Sequence, residues 1–172
     1  MIFKTKGSTD PKLLKDIESF WVKYEANIRK KIMILTGISL KNDNIVCYVD
    51  SSTTNGYYGG RTITLGVKGG ISKDDSLMVI THELFHISYW EKIKKMGLTK
   101  NSPGNESKNE WKIAELAAFL SMGEPCLMKY WPKANLILYP QIKDVYKKVK
   151  SYWKNREFDK FLTKSYKIVE SN

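Results

Sequence analysis

Cysteine is scarce in this 172-residue chain: Cys47 and Cys126 stand far apart with no CxxC spacing. That excludes a disulfide framework and a cysteine-based zinc ribbon, and marks both as reduced core thiols. Long apolar runs are also missing, and none approaches the ~20 residues that a membrane-spanning helix needs. The opening residues Met1-Ile2-Phe3-Lys4-Thr5-Lys6-Gly7 lack the apolar stretch of a signal peptide, so the expected compartment is the cytoplasm, with no membrane partner. No internal repeat, low-complexity linker or domain boundary interrupts the chain, and the expectation is a single domain over residues 1–172. A domain of this size hides roughly 70% of its unfolded surface and needs no covalent staples.

Arginine is nearly absent. Only Arg29, Arg61 and Arg156 stand among 29 basic residues, against 18 acidic ones, for a net charge of +11. A basic balance can serve nucleic acid. Here the lysines are scattered, and the residue suited to bidentate phosphate contacts is rare. General solubility is therefore the favoured reading of the charge, with a nucleic-acid partner as the less favoured one. Apolar residues at 42% and charged residues at 27% describe a globular chain.

Asp10-Pro11 reads as a helix start. Leu13, Leu14, Ile17, Phe20, Trp21, Tyr24, Ile28 and Ile32 follow at helical spacing, and Gly37 is the stop. Ile45–Val49 and Arg61–Val67 read as strands around the Gly-rich stretch 51–60, and the two are expected to form a hairpin. Ser72 and Asp75 signal the start of a helix running from about Ser76 to Lys95. A second helix is expected over about Lys108 to Met122, ended by Gly123 and Pro125. Two more helices are expected after Pro140, one over Ile142 to Trp153 and one carrying Phe158 to Val169. The expected class is α+β: mostly helical, with a small β-hairpin or antiparallel sheet beside the central helix.

Histidine is rarer still than arginine. The chain has only two, His82 and His86, and both fall in Thr81-His82-Glu83-Leu84-Phe85-His86. This is an HExxH motif. Residues four apart project from one helix face, so two imidazoles can reach one metal ion, and Glu83 can address a water on it. The surrounding helix is apolar over most of its circumference, where unpaired polar groups are costly. A catalytic zinc needs a third protein ligand and an open position. No third histidine exists, so the ligand falls to a carboxylate. Glu115 is favoured, because it interrupts the apolar stretch Ile113 to Leu120 and calls for a cation or hydrogen-bond partner. Glu110, in a polar first turn, and Glu106, in a polar loop, are the alternatives.

The HELFH helix, a strand just before it and a second helix carrying a glutamate in Trp111-Lys112-Ile113-Ala114-Glu115-Leu116-Ala117-Ala118-Phe119 resemble the gluzincin clan of zinc metallopeptidases. The compact size resembles the small single-domain minigluzincins. The resemblance covers mainly residues 57–122. The chain lacks the Asp four residues after the glutamate that thermolysin-like members carry. Ala114 and Phe119 stand in the corresponding places after Glu110 and Glu115.

The resemblance implies a zincin-like fold and a zinc-dependent peptidase acting on a peptide or protein substrate. Zinc would sit on His82, His86 and Glu115, and Glu83 would serve as general base. It also implies that the strand Arg61–Val67 offers its edge to an extended peptide, with Gly59, Gly60 and Gly66 allowing close approach. Many gluzincins place a Tyr or His to steady the oxyanion; Tyr130, Tyr139 and Tyr146 are the candidates here, and none is assigned. The competing expectation is a basic nucleic-acid-associated or interaction protein with a structural or latent zinc site.

Overall fold

A computed structural model describes residues 1–40, 44–153 and 157–170, apart from the side chain at 170. Arg156 lies outside the described residues. The long first helix, α1 (Pro11–Thr36), begins where Asp10 accepts a hydrogen bond from the Lys12 amide. It ends at Gly37 in the left-handed conformation (φ 71°), whose N–H reaches the Met33 carbonyl. The central helix, α2 (Lys73–Lys95), is capped by Ser72, whose hydroxyl accepts from the Asp75 amide. Next, α3 (Lys108–Met122) opens on a capping box in which Ser107 and Glu110 satisfy each other's backbone amides. These three helices lie where the sequence places them.

The sheet differs from expectation. Four strands, β1 (Ile2–Lys6), β2 (Val46–Asp50), β3 (Tyr57–Gly59) and β4 (Thr62–Gly66), lie in the order β1-β2-β4-β3. The expected hairpin between 45–49 and 61–67 is not made, because β2 and β4 pair in parallel, as do β1 and β2. The hairpin in the sheet joins β3 to β4, with Tyr58 opposite Ile63 and Gly59 opposite Thr62. Gly60 holds φ 59° in its turn, a conformation glycine adopts without steric cost.

Strand β1, absent from the sequence reading, supplies the missing partner for β2. A parallel pair needs a long crossover, and α1 is that crossover. The register aligns Phe3, Cys47 and Ile63 in one row, and all three face the core.

The topology also corrects the substrate-strand expectation. Arg61–Val67 is no edge, since β4 lies between β2 and β3. The edge strand near α2 is β3. Nor does Gly66 make room for a peptide. A Cβ there would sit 2.6 Å from the Asn55 backbone N and O, so the glycine admits the chain's own segment 54–55.

Core residues from every layer meet in one cluster: Trp21, Ile28 and Ile32 of α1, Val49 and Leu65 of the sheet, Leu84 and Phe85 of α2, and Leu116 and Ala117 of α3 are fully buried. Two short helices, α4 (Pro125–Met128) and α5 (Lys143–Val149), precede the last one, α6 (Phe158–Glu170). Where one continuous helix is expected over 142–153, 3-10 turns at Pro140–Ile142 and Lys150–Trp153 flank α5. Both cysteines are free. Burial pushes the Cys47 thiol up to about 12, with the charge of Glu83 adding to it, so it stays protonated and inert. No described helix is long and apolar enough to cross a membrane.

The tight seat of Gly66 makes a measurable demand. Gly66→Ala forces the Asn55 backbone away, and the expected loss of stability is about 1–3 kcal/mol, read from the midpoint of urea unfolding.

Candidate metal centre

Because α2 is regular through residues 82–86, His82 and His86 project from the same face. Their Nε2 atoms lie 2.9 Å apart. Across the interface, α3 delivers Glu115, whose Oε2 is 3.3 Å from Nε2 of His82 and whose Oε1 is 3.3 Å from Nε2 of His86. Four-coordinate bonds of ~2.0–2.1 Å place ligand atoms about 3.3 Å apart, so the triangle fits one ion of that size. Among the described residues this is the group of His, Cys, Asp and Glu side chains that could hold a metal ion. Glu115 Oε2 is buried without a hydrogen-bond partner. An orphaned carboxylate oxygen facing two imidazole nitrogens is the donor set of a cation site.

The electrostatics agree with that geometry. Burial alone would raise the Glu115 carboxyl, but the close imidazoles of His82 and His86 and their charges hold it well below the usual carboxylate range. Burial would lower His82, yet Glu115 and the charge of Glu83 raise it above the usual imidazole value. Glu83 itself is 6% exposed. Burial and the charge of Glu115 push its carboxyl upward, against the pull of the two histidines.

The other two glutamates go elsewhere. Glu110 does not occupy the solvated turn the sequence implies. It is buried, closing the capping box and accepting hydrogen bonds from Thr99 and Asn101. Those partners hold it below the usual range despite its burial. Glu106 accepts from the Gly104 amide in its loop, 2.5 Å away.

His82, Glu83 and Glu115 line a cleft of about 540 Å³. The segment Thr54-Asn55-Gly56 also lines it, as do Asn135, Leu136, Ile137 and Tyr139 after α4 and the apolar Met78, Val79, Trp111 and Phe119. A Cβ on Gly56 would stand 2.8 Å from Glu83 Oε1 and 2.6 Å from Val79 Cγ1, so the absent side chain lets this segment close over the carboxylate.

Of the three tyrosines considered, only Tyr139 lines the cleft. Burial raises its phenol, followed by the charges of Glu115 and Glu83. Tyr130 packs on Tyr24 and Trp131, and Tyr146 on Phe119. Sequence reasoning missed Tyr58, whose ring stacks on His86 at 4.9 Å, and the cleft-lining Asn135, Leu136 and Ile137. Neither carries a periodic signal. The pair Tyr57-Tyr58 inside a glycine-rich stretch was the one available hint.

Comparison with protein-family models, with curated proteins and with solved structures found no match.

The site predicts one divalent ion per chain, measured by elemental analysis of protein dialysed against limiting zinc. Alanine at His82, His86 or Glu115 should each cost more than the ~10–100-fold typical of an outer partner. Proton and metal compete for the imidazoles. Because His82 titrates above the ordinary 6.5 and Glu115 stays ionised, affinity should fall as pH is lowered. The fall should begin above pH 6.5 and approach about tenfold per unit, read by competition with a chromogenic chelator.

Proposed function

We propose that this chain is a zinc-dependent peptidase of gluzincin type, hydrolysing a peptide or protein substrate. The observation that carries the reading is the placement of Glu83. It is the residue next to a His-His-Glu triangle, and it shares with that triangle a cleft of about 540 Å³. His82, His86 and Glu115 would hold zinc, three protein ligands being the catalytic pattern. When bound, zinc supplies Lewis acidity, lowering the pKa of a water toward ~7 and polarising a carbonyl.

The chain's own residues do the rest. Glu83 accepts the proton of the attacking water on its carboxylate and passes it to the departing amine nitrogen, which would otherwise leave as an unstable anion. Its burial beneath Gly56 and its upward-shifted carboxyl suit a group that must take and return a proton near neutrality. The substrate enters this cleft, where the apolar Met78, Val79, Trp111 and Phe119 receive a side chain by burial of apolar surface. Tyr139, which also lines the cleft, is the phenol that would donate to the carbonyl oxygen. No Lys or Arg lines the cleft among the described residues, so no basic side chain there is offered to a phosphate. That favours hydrolysis of a peptide over a nucleic-acid role for this site.

Glu83→Gln keeps the three metal-holding side chains. It should lower peptide hydrolysis by about 10²–10⁴-fold with zinc content unchanged, followed by mass spectrometry on a proteome-derived peptide library. Hydrolysis that survives both this variant and a chelator would overturn the proposal. So would a zinc-loaded protein that cleaves nothing in the library.

A further inference from the structure

We infer that Tyr58 is a positioning residue for the metal centre: its ring, stacked on His86, holds that imidazole so that Nε2 faces His82 and Glu115. The inference rests on the metal reading of the site and is independent of hydrolysis.

A metal-ligating imidazole is ordinarily oriented by a hydrogen bond from its other ring nitrogen to a carboxylate or carbonyl. His86 does not use that device. Its Nδ1 is buried, and no group among the described residues partners it. The ring is fixed by its two aromatic neighbours instead. Tyr58 lies parallel to it, with centroids 4.9 Å apart and an interplanar angle of 19°. The His82 ring meets it edge-on, 4.6 Å away at 81°. Rotation of His86 about its Cβ–Cγ bond would drive its edge into the phenol.

The phenol is itself anchored. Its hydroxyl accepts a hydrogen bond from Nε1 of Trp90, which is 3% exposed and stands one helical turn beyond His86. Its backbone belongs to β3 and pairs with Ile63 of β4. Arg61, just past the hairpin turn, forms an ion pair of 2.7 Å with Glu91. The hairpin is thus latched to α2 at Trp90 and Glu91, about one turn beyond the ring contact. One tyrosine is shared by residues 86 and 90, the first in the metal triangle and the second in the core. A ligand has to be held to about 0.5 Å and 10–20° to bind productively, and this clamp supplies that constraint from the sheet.

The test is zinc affinity and spectroscopy of the full chain. Wild type, Tyr58→Phe and Tyr58→Leu are titrated with zinc against a competing chelator, and their cobalt-substituted forms are compared by visible absorption. Tyr58→Phe keeps the ring and should stay within about threefold of wild type. Tyr58→Leu should lose about 10–100-fold and change the intensity of the cobalt bands, which a loss of global stability alone would not do. Equal affinity for wild type and Tyr58→Leu overturns the clamp, as does an equal loss in both variants. Should Tyr58→Leu not fold, the zinc-loaded wild type decides by NMR. Stacking requires the His86 ring protons to be shifted upfield by the Tyr58 ring current, and unshifted protons overturn the inference. A wild type that takes up no zinc removes the metal reading itself, an outcome distinct from the others.

Discussion

Three polar side chains meet where α2 packs on α3, with atoms within 3.3 Å of one another, beside fully buried Leu84, Phe85, Leu116 and Ala117. An isolated charge in such surroundings costs on the order of several kcal/mol, so an ionised Glu115 needs the imidazoles beside it. Glu115 is kept ionised by the imidazoles, and His82 is drawn toward its cationic form by Glu115. A divalent ion would engage all three at once. The rest of the molecule is arranged so that this mutual dependence is satisfied beside a cleft rather than sealed in the core.

That arrangement uses the whole topology. The parallel row Phe3–Cys47–Ile63 sets the sheet that α2 packs on. The short antiparallel strand β3 turns the edge of the sheet toward the site. From this edge come Gly56, close over Glu83, and Tyr58, against His86. The chain after α4 adds Asn135, Leu136, Ile137, Tyr139 and Ile142 to the lining of the cleft. Among the later helices, α6 packs on α3 and α5 on α6.

Much of the local structure was legible in the residues. Asp10 and Ser72 each announce a helix by offering an oxygen to amides that would otherwise go unpaired. The four-residue spacing of His82 and His86 on a continuous helix dictates that both rings face one way. Glu115 could be picked out because a carboxylate in an apolar stretch has to meet a partner. Glu110 misled in the opposite direction. Its neighbours Lys108 and Asn109 look solvated, and nothing local says that Thr99 and Asn101 will fold back to bury it. The hairpin expectation failed for a related reason. Strands adjacent in sequence make the shortest loop, but β4 lies parallel to β2 and takes its antiparallel partner from β3, inside the glycine-rich stretch that reads as a turn.

The sequence by itself determined the helices, their ends and the pair of imidazoles on one turn, because caps and a 3.6-residue period act over a few residues. Tertiary structure alone decided which carboxylate approaches that pair, which strand forms the sheet edge, and which aromatic ring lies against His86. Those outcomes depend on contacts between segments far apart along the chain, where the buried surface shared by several elements, and no local preference, selects the arrangement.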